Sequence, residues 1–122
     1  MVPSGQGKHL FVVALGPSLL NGYGPEPQVV LVNFSSVKEG LRYDESCVVE
    51  AGEHPFINKK SFVSYRHARL YPAEQIKQRA RSNEWQPHSP CSALLMKKIL
   101  NGFRISRRLP RYFNEILDDL NI

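Results

Sequence analysis

Lys8 and His9 stand immediately before an apolar run that extends to Leu15, and Ser35 and Ser36 close a second apolar run that begins at Val29. An ammonium group can stabilise developing negative charge, an imidazole exchanges protons near neutral pH, and a hydroxyl donates to an anionic oxygen. These four residues are therefore the catalytic candidates. Each also has a plainer role, since lysines are mostly solvated and serine pairs commonly serve turns. His54 precedes Pro55 and reads as a hydrogen-bonder that locks a loop. Tyr65 and His67 read as residues that face the core. The chain has no Walker loop, no GxGxxG, no GxSxG elbow and no HExxH motif. Its four histidines (His9, His54, His67, His88) and two cysteines (Cys47, Cys91) lack metal-ligand spacing, so neither a metal nor another cofactor is expected.

A second kind of chemistry is electrostatic. The net charge of +5 is unevenly placed: residues 1–70 hold seven Lys/Arg against six Asp/Glu, whereas residues 77–111 hold nine against Glu84 alone. Trp85 and Phe103 lie among those cations. Cations that track a phosphate backbone, interleaved with rings that stack on bases, suit single-stranded nucleic acid. Lys77, Arg79, Arg81, Trp85, Arg104, Arg107 and Arg108 are the RNA-binding candidates. An acidic protein partner and a merely solvated helix face both fit the same charge pattern.

The elements that must position these residues change character along the chain. Residues 9–15, 29–37 and 46–52 read as strands, with a fourth within 59–71, and the Gly- and Pro-rich stretch 16–28 reads as loop. Pro72 opens a helical turn with Glu74 near its positive end. Ser89-Pro90 reads as the cap and first position of another helix, with Leu94, Leu95, Ile99 and Phe103 on its apolar stripe and Gly102 near its end. A last helix is expected from Pro110 to Leu120, burying Phe113, Ile116, Leu117 and Leu120. The pattern predicts one α+β domain, with a strand-rich core over 1–76 and a basic helical part over 77–122. No stretch reaches the roughly 18 apolar residues that a membrane helix needs, so no membrane partner and a cytoplasmic location are expected.

The order Lys8-His9-Leu-Phe-Val-Val, then Val-Val-Leu-Val-Asn-Phe-Ser35-Ser36, resembles the MazF/PemK family of toxin ribonucleases. In that family a basic residue precedes one strand and a Thr/Ser pair ends the next. The segment Ile57-Asn-Lys-Lys-Ser61-Phe-Val-Ser-Tyr65-Arg-His-Ala-Arg69-Leu is similar to a family segment in its lysine–serine–apolar order. The likeness covers about residues 7–76. It implies a small SH3-like β-barrel or antiparallel sheet followed by C-terminal helices, a homodimer, an antitoxin-like protein partner, and metal-independent cleavage of single-stranded RNA. In such a reaction the neighbouring 2′-hydroxyl is the nucleophile. Lys8 would stabilise charge, His9 would exchange protons, and Ser35 or Ser36 would bond a phosphoryl oxygen. Only Met1–Gly7 precede Lys8, so the strand that opens family members is expected to be missing or replaced. The alternatives are a catalytically inert binding module on the same fold and a structural or regulatory subunit.

Overall fold

A computed structural model describes residues 2–4, 7–20, 22–85 and 90–120, with the backbone alone over 2–4 and 7–9. The Val-rich run becomes β4 (Gln28–Ser36), the central strand, buried from Val29 through Phe34. One edge of β4 pairs with β3 (Phe11–Ser18). The other edge pairs with β7 (Arg69–Pro72) over its first half and β6 (Ser61–Val63) over its second. A 3₁₀ turn, Tyr65–His67, separates those two partners. β5 (Val48–Val49) extends the sheet beyond β6. All pairings are antiparallel, so five strands form an open sheet. A separate two-stranded ribbon joins β1 (Val2–Ser4) to β2 (Gly7–His9).

The fold is α+β, with the helices after the sheet. α1 spans Ala73–Arg81, α2 Ala93–Ile105 and α3 Tyr112–Asp119. Alternation along β4 divides its residues between two faces. Val30, Val32 and Phe34 join Leu95, Ile99 and Phe103 of α2, and Phe113, Ile116 and Leu117 of α3, in the hydrophobic core. Val29, Leu31 and Asn33 are buried but belong to the opposite face, outside that cluster. The site lies on this second face.

Several local expectations are corrected. The run 9–15 is broken at Leu10, where the backbone leaves β2 and enters β3, and β3 continues through Gly16-Pro17-Ser18. Proline is tolerated there because β3 is an edge strand with no partner on its outer side. Gly16 adopts φ +92°, and a Cβ on it would fall 2.5 Å from the Gln28 carbonyl oxygen. The third strand is only two residues long, because the chain turns at Gly52 (φ +92°). The Gly52 N–H donates back to Ile57 O. Ahead of β2 stands a three-residue strand, Val2–Ser4, which pairs with β2 outside the main sheet. Ser92 caps α2 by accepting the Leu95 N–H at 3.1 Å, so the helix begins later than Ser89-Pro90 implies, and Ser89 itself lies outside the described residues. Gly102 stands in the last turn of α2, whose cap Ser106 N–H donates to its carbonyl, and Leu94 is 72% exposed while Leu95 fills the core. Among the described residues no helix is long and apolar enough to cross a membrane.

Candidate nucleic-acid interface

Register fixes which side chains share the second face. Phe11 stands opposite Asn33, Leu31 opposite Arg69, and Val29 opposite Tyr71. Directly opposed residues project from the same side of a sheet. The Arg69 guanidinium carbon therefore sits 4.8 Å from the Phe11 ring centre and 5.9 Å from that of Tyr71. Tyr71 meets Trp85 at 5.1 Å between ring centres, and the Arg79 guanidinium carbon lies 5.3 Å from the Trp85 ring. The result is a ladder: Phe11, Arg69, Tyr71, Trp85, Arg79. Three cation–ring contacts, Arg69 with Phe11 and Tyr71 and Arg79 with Trp85, flank the ring–ring contact of Tyr71 with Trp85, and each is attractive through the ring quadrupole.

Arg79 is held firmly in the ladder. Its Nε donates to the Tyr71 hydroxyl at 2.6 Å, and its Nη1 donates to Glu84. Those two bonds raise the pKa of the guanidinium further. β7 places Tyr71, and α1 with the turn after it places Arg79, Glu84 and Trp85. The Glu84 and Trp85 amides donate to the Arg79 carbonyl, folding Trp85 back over the sheet.

Beside the ladder is a concavity of about 440 Å³ lined by Phe11, Asn33, Ser35, His67 and Arg69. Among the described residues no carboxylate lines it. His67 and Arg69 are exposed, whereas Asn33 is 6% exposed. The Asn33 Nδ2 donates to Ser35 Oγ at 3.4 Å, and its Oδ1 has no hydrogen-bond partner among the described residues. A buried amide oxygen without a donor costs stability, about 1–3 kcal/mol, and an incoming N–H or O–H would recover it. His67 Nδ1 lies 2.7 Å from the hydroxyl of buried Ser64, which sets the ring's orientation.

Of the catalytic candidates, Ser35 lines this concavity and half-buried, while Ser36 is exposed one residue beyond it. The backbone of β2 runs beside the end of β4, and the Phe34 N–H donates to Leu10 O. β2 carries Lys8 and His9, whose side chains lie outside what is described. His54 is buried, and its Nδ1 accepts the Phe56 N–H at 3.0 Å, a loop-locking role.

The basic candidates divide. Arg79 and Trp85 belong to the ladder. Arg104 pairs with Asp118 at 2.6 Å, tying α2 to α3. Lys77, Arg81, Arg107 and Arg108 are exposed. Lys98, in the same basic block, is also committed: it donates to Val48 O at 2.8 Å and bridges Glu53.

Phe11, Asn33, His67, Arg69 and Tyr71 were not singled out by sequence reasoning as site residues. One signal was present: 67, 69 and 71 share a parity through the His-Ala-Arg-Leu-Tyr stretch. Among the described residues no group of three or more His, Cys, Asp or Glu can hold a metal ion. Comparison of the chain with protein-family models, curated proteins and solved structures returned no match.

Proposed function

We propose that the protein binds single-stranded RNA on the open face of the sheet, in the manner of a MazF/PemK-like toxin. The observation that carries this reading is the ladder of rings and guanidinium groups beside a concavity whose described lining holds no carboxylate. Bases of a single strand expose their faces and stack on such platforms, while the arginines meet phosphates. Asn33 and Ser35 supply hydrogen-bonding groups for a base edge or a ribose 2′-hydroxyl, the group that distinguishes RNA from DNA. Cleavage in this reading needs no metal. His67 accepts the 2′-hydroxyl proton, the oxygen attacks phosphorus, and Arg69 stabilises the phosphorane charge. The P–O5′ bond then breaks, the 5′-oxygen takes a proton from water, and a 2′,3′-cyclic phosphate remains. An antitoxin-like protein and a second copy of the chain are the partners that this reading adds.

The chain has one tryptophan, and it stands in the ladder. Titrating mixed-sequence single-stranded RNA into the protein at low ionic strength should quench Trp85 fluorescence. Arg69→Ala or Phe11→Ala should weaken binding roughly 5- to 150-fold, the loss expected when about 1–3 kcal/mol of stacking per base is removed. No quenching together with no affinity would retire the reading. His67→Ala should retain binding but lose any cyclic-phosphate product detected by mass spectrometry.

A further inference from the structure

A second concavity, of about 330 Å³, lies at the same end of β4. Its floor is apolar, with Leu10 and Phe34, and its polar lining includes Ser36, Lys38, Asn58 and Lys59. Ser35 lines both this cavity and the one beside the ladder, so the two meet at that residue. No acidic residue among those described lines either of them. Among the described residues, no hydrogen bond or ion pair engages the side chains of Ser36, Lys38, Asn58 or Lys59. Two ammonium groups, a hydroxyl and a carboxamide therefore face one hollow with their donors turned to solvent. The first cavity offers rings, an arginine and an amide, which suit a base and its ribose. The second offers point charges and no exposed ladder, which suit a phosphate.

Resting on the RNA-binding reading above, we infer that the Lys38–Lys59 hollow is a phosphate subsite for the same strand. The ligand is then at least a dinucleotide that passes over Ser35, with one nucleoside against Phe11 and Arg69, its linking phosphodiester over Ser35, and the next phosphate along the strand between Lys38 and Lys59. A mononucleotide fills only one half. Ser35 stands at the junction and sits against the linking phosphodiester.

The test is the salt dependence of affinity for a labelled single-stranded RNA octamer, read by fluorescence anisotropy over a series of KCl concentrations. Each phosphate neutralised on a single strand contributes about 0.7 to the slope of log K against log salt, so losing the one phosphate held by the pair in Lys38→Ala/Lys59→Ala should lower the slope by about 0.7. Lys38→Arg/Lys59→Arg should restore most of it. A control of equal charge change on the helical half, Lys97→Ala/Arg111→Ala, should alter the slope by less than half as much. All four residues are exposed, so thermal melts confirm that the variants are folded. If the Lys38/Lys59 variant matches the control while Arg69→Ala still weakens binding, the subsite is wrong and the RNA reading stands. If the unmodified protein binds no octamer at low salt, the RNA reading itself has failed and the subsite falls with it.

Discussion

A methyl group on Gly102 would place its carbon 1.9 Å from the Tyr65 hydroxyl oxygen and 2.5 Å from the ring carbon that bears it. Tyr65 is fully buried, packs edge-on against Phe103 at 5.0 Å and donates to the Ile99 carbonyl at 2.6 Å. The contact joins the turn after β6 to α2, and only glycine lets the ring approach. Gly102→Ala should destabilise the fold by about 1–3 kcal/mol, an overpacking cost measurable by urea unfolding. Tyr65→Phe should cost about 1 kcal/mol through the lost hydrogen bond. The double variant should cost less than the sum, because one clash is relieved. Asp44 gives a pH-dependent counterpart. Burial works against its charge, but hydrogen bonds from Ser106 and Ser46 prevail and hold its pKa below the ordinary 3.8. A depressed folded-state pKa contributes stability that is present above the unfolded value and lost as pH falls through the folded one. Asp44→Asn should therefore flatten the decline in stability below about pH 4. A protein whose acid unfolding keeps its slope after that change would contradict this. In sequence, Gly102 reads as a helix-end signal because glycine usually marks ends. Its true role depends on a tyrosine 37 positions earlier, which no local pattern reveals.

Leu94 and Leu95 show what helical periodicity conveys and where it stops. Both lie near the apolar stripe, yet only Leu95, with Ile99 and Phe103, enters the core, while Leu94 points to solvent. Leu95→Ala should cost about 2–5 kcal/mol, as expected for a cavity in a packed core. Leu94→Ala should change stability by about 0.5 kcal/mol or less. Equal losses from the two would overturn the assigned helix rotation. The helices were legible because Pro72, the 3.6-residue spacing and the polar breaks are all local signals. The strand bounds were less so. Val48-Val49 looks like the middle of a longer strand, but the Gly52 turn and the short reach of β6 leave it two partners. The stretch 59–71 reads as holding one strand, Phe62–Tyr65 or a longer irregular one, rather than two, because the 3₁₀ turn that divides it has no marker beyond its broken alternation. Pairing partners are set across the sheet, and sequence neighbours do not announce them.

At the scale of the molecule, the basic block is not one surface. Lys98 and Arg104 hold helices to the sheet or to each other, and Arg79 is built into the ladder with Trp85. The sequence made the interleaving of charged and aromatic residues visible. It did not reveal that the platform draws on residues 11, 69, 71, 79 and 85, which meet only through the register of β3, β4 and β7. Photo-crosslinking with single-stranded RNA carrying 4-thiouridine, followed by mass spectrometric mapping, tests the central claim most directly. The account predicts crosslinks at Phe11, Tyr71 or Trp85, reduced by Arg69→Ala and competed by unlabelled RNA. Crosslinks confined to α2 and α3, unaffected by Arg69→Ala, would show that the strand binds elsewhere and would contradict it.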